Sequence, residues 1–197
     1  SFLLVNNDGI FEIAEKSVFP TINDIGMVRD ARWGDLNQDG KDDLVIVGDY
    51  SGIQVFLNQK GMFRTLENEV LSDGTGLWRS TLLVDFDEDG DLDILLGNLG
   101  KNNMFNMTPS TPLLISTTDI DGNGSVDPLM FCSQRNLNGD WDMYPTQFWD
   151  NLSQQSPVYR KEFNSYTSFS NANLAYYRDN KIISEETLLK AKYDAAM

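Results

Sequence analysis

Histidine is absent from this 197-residue sequence, and cysteine occurs once, at Cys132. Without an imidazole, the commonest general base and the commonest zinc and copper ligand are both missing. A single cysteine can close no internal disulfide, which excludes the small disulfide-stapled scaffolds. Cys132 itself reads as a small buried hydrophobe, because no histidine stands ready to activate it as a nucleophile. No apolar run approaches the eighteen residues of a membrane-spanning helix, and the N-terminus carries no positively charged leader. Basic residues are scarce too, 15 against 30 acidic ones, for a formal charge of -15 and a pI near 4.2. That balance argues against nucleic acid or anionic membranes, where positive patches supply the affinity. What remains, 41% hydrophobic and 11% aromatic residues, is ordinary for a globular chain with a sizeable core.

The acidity is concentrated in one pattern. Val84 to Gly97 reads VDFDEDGDLDILLG, with Asp85, Asp87, Asp89 and Asp93 at loop positions one, three, five and nine and Gly90 at six. In a tight loop, alternate side chains converge on one point, and the glycine permits the turn that brings position nine back. Converged carboxylates repel one another, and a hard cation relieves that repulsion. The loop occurs twice more: Asp35, Asn37, Asp39 and Asp43 around Gly40, and Asp119, Asp121, Asn123 and Asp127 around Gly124. Oxygen-only donors select calcium, with the backbone carbonyls of Lys41, Asp91 and Ser125 at position seven and water completing six to eight ligands. Three calcium ions would offset six of the fifteen negative charges, so an ion-free chain should be self-repelling and weak.

These are not EF-hands, which need a bidentate glutamate at position twelve; those positions hold Ile46, Leu96 and Met130. The runs Leu44 to Val47, Ile94 to Leu96 and Leu129 to Phe131 read as buried strands by their length and β-branching. Each loop is then a connection between strands, and its ion is structural. The segments GMVRDARWGD and GLWRSTLLVD, from Gly26 and Gly76, share a glycine, an apolar pair and an arginine, Arg29 or Arg79. Ile53 to Phe63 resembles Phe2 to Phe11 at an offset of 52 residues, an apolar strand followed by an Asn-x-x-Gly hairpin turn. One repeat thus supplies about four strands in the 50 residues from Asp35 to Asp85, the content of a propeller blade.

The three loops D-x-[DN]-x-[DN]-G-x-x-D, each followed by an apolar strand, resemble the FG-GAP/VCBS repeats of integrin-alpha-like β-propellers. WRSTLLVDFDEDGDLDILLGNLGKNN is closest to their bacterial secreted or surface members. The resemblance covers Phe2 to about Tyr144. It implies a mainly β fold, a partial β-propeller of four-stranded blades, in which calcium stabilises a binding module. It also places the family's ligand positions on the twelve side chains and three carbonyls named above. The blades are expected over Gly26 to Leu66 and Gly76 to Met107, with a third from Pro112 and an outer half-blade before Glu15. A closed propeller needs four to eight blades, so the expectation is a fragment of a longer chain whose remaining blades are its partners.

After Tyr144 the Asp-Gly loops stop, and the domain division is expected as 1–144 for the blades and 145–197 for a helical insertion or extension. Gln147 to Gln154 and Asn171 to Arg178 read as short helices, and SEETLLKAKYDAAM as a longer one capped by Ser184, with Leu188, Leu189 and Ala191 to Ala195 on its apolar side. Tyr166, Phe169 and Ala172 resemble a Y-x-x-F-x-x-A spacing of the helical segment in some bacterial members. Asp42, Asp49 and Asp140 read as solvated turn residues. Arg29 and Arg79 read as partners of nearby aspartates, with an anionic ligand the alternative. For Trp33, Trp78, Trp141, Tyr144, Phe148 and Trp149, core packing outweighs ligand stacking, and Asn98, Asn102 and Asn103 read as turn caps. No catalytic constellation stands out.

The expected function is a non-enzymatic, extracellular or cell-surface calcium-binding module for a protein or glycan ligand, since millimolar calcium outside cells fills weak sites. The alternative is part of a propeller-type polysaccharide lyase or glycoside hydrolase working through residues in the missing blades or through Tyr144 to Trp149. A thrombospondin-type calcium spacer is disfavoured by the lone cysteine.

Overall fold

The computed structural model describes residues 2–20, 22, 25–99, 103–105, 107–108 and 110–191. The described residues are mainly β, with three antiparallel sheets and a few short helices, and the chain divides into two compact units, 1–99 and 100–197. The boundary falls between Leu99 and Gly100, whereas the change in composition lies at Tyr144. Among the described residues, no helix is long and apolar enough to cross a membrane.

The first unit opens with a hairpin, β1 (Leu4–Asn7) and β2 (Ile10–Ile13). Its turn residues Asp8 and Gly9 both have positive φ, and the Asn6 side chain accepts from the Gly9 N–H at 2.8 Å. The same device returns 52 residues later between β5 (Gln54–Gln59) and β6 (Met62–Thr65). There Lys60 and Gly61 have positive φ and Asn58 accepts from Gly61 N–H at 2.8 Å. Both hairpins expected from the sequence are present, yet only the second is buried. Val55, Phe56 and Phe63 lie in the interior, while Leu4, Ile10, Phe11 and Ile13 are exposed.

β3 (Met27–Gly34), β4 (Asp43–Ser51), β5 and β6 follow one another as antiparallel neighbours. After the short helix α1 (Glu69–Asp73), β7 (Gly76–Val84) joins the end of β4 and pairs in turn with β8 (Asp93–Asn98). β4 is covered on both faces, which is why Leu44 to Val47 is a continuous apolar run rather than an alternation. Leu44 and Ile46 enter a cluster with Phe19, Ile25, Phe56 and Phe63, in which the Phe19 and Phe56 rings meet edge to face at 4.6 Å. Val45 and Val47 are just as buried. β8 departs from the expectation of burial: its residues are half covered and Leu95 is exposed.

Two bulges sit at equivalent places. The β3–β4 register slips between Val28 and Asp30, and the β7–β8 register slips between Trp78 and Ser80, so Arg29 and Arg79 are the extra residues. Opposite the first bulge, a Cβ on Gly48 would lie 2.1 Å from the Met27 carbonyl oxygen. Only glycine permits that approach.

In the second unit β9 (Leu113–Ser116) is flanked by β10 (Leu129–Arg135) and β12 (Leu188–Ala191), with β11 (Trp141–Pro145) beyond β10. Four short helices fill the chain between β11 and β12: α2 (Trp149–Gln155), α3 (Pro157–Glu162), α4 (Tyr166–Ser170) and α5 (Leu174–Asp179). Ser156, Ser165 and Asn173 cap the last three through their side chains, and Pro157 opens α3 from its first position instead of merely ending α2. Leu152, Tyr159, Phe163, Ala172, Leu174 and Tyr177 from this run pack on Leu114, Leu129 and Phe131 of the sheet. Cys132 is buried. The helix expected from Ser184 onward does not form over its described part. Glu185–Thr187 is a single 3-10 turn, and Leu188–Ala191 is β12 on the outer edge of β9. The backbone groups of β9 need a partner on that side, and this requirement overrides helix propensity. Residues 192–197 of the expected helix lie outside the described residues.

Gly48→Ala is expected to destabilise the chain by about 2–3 kcal/mol, because backbone must move to admit one methyl; the urea midpoint measures it. A second outcome concerns alkali. Burial pushes the phenols of Tyr159 and Tyr177 above their ordinary value, about 10 in an unfolded chain. The folded state therefore holds protons that the unfolded state releases, so their contribution is complete below about pH 10 and is lost as pH rises further. Stability should be level from pH 8 to about 9.5 and fall above it, with phenolate absorbance at 295 nm rising together with loss of far-UV ellipticity.

Candidate metal-binding loops

The three acidic loops share one hydrogen-bond frame. The position-one aspartate accepts the position-five N–H on one oxygen and the position-six glycine N–H on the other. For Asp35 the distances are 3.0 and 2.8 Å, for Asp85 3.1 and 3.0 Å, and for Asp119 3.1 and 2.8 Å. The position-five side chain then accepts from position seven, Asp39 from Lys41 N–H, Asp89 from Asp91 N–H and Asn123 from Ser125 N–H. Position nine closes the loop by accepting the position-two N–H, Asp43 from Leu36, Asp93 from Phe86 and Asp127 from Ile120, at 2.9 to 3.0 Å. Each link joins a carboxylate or amide oxygen to a short-range N–H, so the loop is built by its own sequence.

Positive φ recurs at position six, in Gly40, Gly90 and Gly124, and also at position four, in Gln38, Glu88 and Gly122. Sequence reasoning passed over position four. The glycine at that place in the third loop was the available signal.

Two loops gather three carboxylates. Asp85, Asp87 and Asp89 place one oxygen each within 4.8 Å of the others, and so do Asp119, Asp121 and Asp127. Oxygens bound to one calcium at about 2.4 Å can lie at most about 4.8 Å apart, so both groups fit that ion. Among the described residues, Asp93 does not join the second loop's group, and the first loop forms no three-carboxylate group. There Asn37 supplies an amide that accepts Asp39 N–H at 3.0 Å, and Lys41 Nζ lies 3.5 Å from Asp39. Asp43, fully buried, has both oxygens engaged, one by Leu36 N–H and the other by Asn58 N–H at 2.8 Å. In this loop position nine is a strut. Crowding in the second loop is felt at Asp91, whose carboxyl is raised first by the charge of Asp89.

The loops are also tied to one another and to the sheet. Gln38 donates to the Gly90 carbonyl at 3.1 Å, joining the first loop to the second. Asp49 overturns its reading as a solvated turn residue, being buried in β4. Arg29 reaches it at 2.6 Å and Arg79 at 3.2 Å. Both bulged arginines thus converge on one carboxylate. Asp42 and Asp140 are exposed as expected.

The aromatics divide. Trp78 is buried and donates to the Gly74 carbonyl at 2.8 Å, but Trp33, Trp141 and Phe148 are 49%, 54% and 77% exposed, so core packing fails for those three. Asn98 and Asn103 accept backbone N–H groups, from Leu77 and Phe105. Asn102 lies outside the described residues.

Residues 35–96 match the family model described as the FG-GAP-like repeat. This stretch holds the first two loops and the strands between them. Among curated proteins no match is found.

Because Asp43 is held by two backbone N–H groups, Asp43→Ala should cost about 3 kcal/mol even in EDTA, as both donors lose a buried charged acceptor. Asn37→Ala should cost under about 1 kcal/mol under the same conditions. Chemical unfolding of the two variants side by side checks the difference.

Proposed function

We propose that the chain is a calcium-stapled, β-propeller-type binding module acting outside cells, with the ions in a structural role. The observation that carries this reading is the repeated hydrogen-bond frame, in which the position-one carboxylate accepts the position-five and position-six N–H groups in all three loops. The FG-GAP-like match over residues 35–96 supports it, as does the β3 to β6 meander, which has the strand content of one blade. Calcium is favoured because every donor is oxygen and the gathered carboxylates need a dication to offset their repulsion. The loops connect strands, which hold a fixed geometry, whereas a calcium sensor opens a pair of helices. An extracellular setting follows from the same chemistry, because sites of this kind fill at millimolar calcium. The non-enzymatic reading is favoured at Tyr144, where burial and then the charge of Asp142 raise the phenol. A lyase base would need the opposite shift.

Thermal unfolding in EDTA and in millimolar calcium, with calorimetric counting of bound ions, tests the proposal. One site that binds only the folded state, at one hundred times its dissociation constant, adds about 2.7 kcal/mol. A clear rise in unfolding temperature with about three ions bound is expected, and an unchanged temperature would sink the calcium staple. The second loop gathers three carboxylates where the first gathers no such group and should bind more tightly than the first, so Asp89→Ala should remove more of the calcium-dependent rise than Asp39→Ala. Equal losses would count against that order.

A further inference from the structure

We propose that a cleft in the second unit binds a neutral oligosaccharide, stacking its sugar rings on Phe148 and Tyr166, with Trp149 bracing Tyr166. The assignment rests on the binding-module reading and names its ligand class and site. The cleft has a volume of about 520 Å3 and lies along β11 and the helices α2 and α4, with Tyr144 and Phe169 completing its aromatic lining. Phe148 is 77% exposed and Tyr166 58%. Aromatic surface of this extent, gathered in one place, is what a chain keeps out of water unless a ligand uses it.

The rings are held. The Trp149 indole N–H donates to the Tyr159 carbonyl at 3.3 Å, and the Tyr166 hydroxyl donates to Asp150 at 2.5 Å. The two rings meet edge to face at 4.9 Å. Trp149 packs on the core of the unit and braces Tyr166, so the exposed Tyr166 ring is offered at little further entropic cost, which is how amphipathic rings anchor ligands.

The surroundings choose the ligand. Among the described residues that line this cleft, none carries a charged side chain, and Asp150 nearby is engaged by Tyr166. Gln134, Tyr144 and Ser170 also line an adjoining cavity of about 460 Å3, where Asn136, Asn138 and Asn171 supply amides. Its one cation, Arg135, stacks over Trp141 at 5.0 Å. Aromatic faces beside uncharged amides and hydroxyls match a pyranose, with an apolar C–H face and a rim of hydroxyls. The lack of a positive side chain in the aromatic arm, on a chain of charge -15, disfavours acidic glycans.

Native affinity electrophoresis of the whole chain in calcium tests this, with hydroxyethylcellulose, laminarin and galactomannan as neutral probes and polygalacturonate and heparin as acidic ones. At least one neutral probe should retard the chain. Phe148→Ala and Tyr166→Ala should each weaken that retardation roughly tenfold, while Phe11→Ala, also at an exposed ring, should leave it intact. Unfolding temperatures matching the parent chain would show that the variants fold. No retardation by any neutral probe overturns the proposal, and so does retardation by acidic probes alone. If calcium still raises the unfolding temperature in that case, the module reading survives and only the glycan is lost. Retardation that persists in both variants places glycan binding elsewhere and removes this cleft. Capture of an apolar peptide through Phe148 in place of any neutral glycan would mark a peptide site and overturn the glycan assignment.

Discussion

The structure depends on one carboxylate doing two things at the start of each acidic loop. Asp35, Asp85 and Asp119 each divide their two oxygens between consecutive backbone N–H groups, and this draws nine residues into a closed turn. Strand direction reverses around that turn in all three cases. The charge that accepts those hydrogen bonds is also the charge that crowds its neighbours, so the interaction that shapes the loop creates the demand for a counter-ion. Loop folding and the gathering of carboxylates that could hold a metal ion are two aspects of one electrostatic arrangement.

Position nine shows how the arrangement is varied. In the third loop Asp127 both closes the turn and joins the gathered carboxylates. In the first, Asp43 is taken up entirely by backbone donors, and the lysine beside Asp39 competes for what remains. The same nine-residue frame therefore spans a range from protein strut to a gathering of carboxylates that could hold a metal ion. The difference comes from the neighbours that reach position nine, among them Asn58, whose own side chain is shaping a hairpin turn.

Much of this was legible in the sequence, and for a common reason. The loops, the two Asn-x-x-Gly hairpins and the apolar runs after each loop are local features, determined by residues within a turn or a strand of one another. Arg29 and Arg79 were correctly paired to a carboxylate because the repeat aligned them. What the sequence hid is non-local. Asp49 looked solvated because nothing in its own segment shows that two bulges bring arginines to it. Leu188–Ala191 looked helical because the open edge of β9, some seventy residues earlier, is invisible in the local pattern. Trp33, Trp141 and Phe148 looked like core residues because hydrophobicity does not say which faces find a partner. The division of the chain after Leu99 likewise lies within a stretch whose composition changes only later, at Tyr144.

The meeting of Arg29, Arg79 and Asp49 has a consequence for descent. Tandem repeats ordinarily drift apart, each copy accepting changes that its twin does not share. Here one acid in the first copy serves an arginine from each of the two, so neither arginine is free to wander while the acid stays. The three positions therefore act as a set, because loss of the acid takes this partner from both arginines at once.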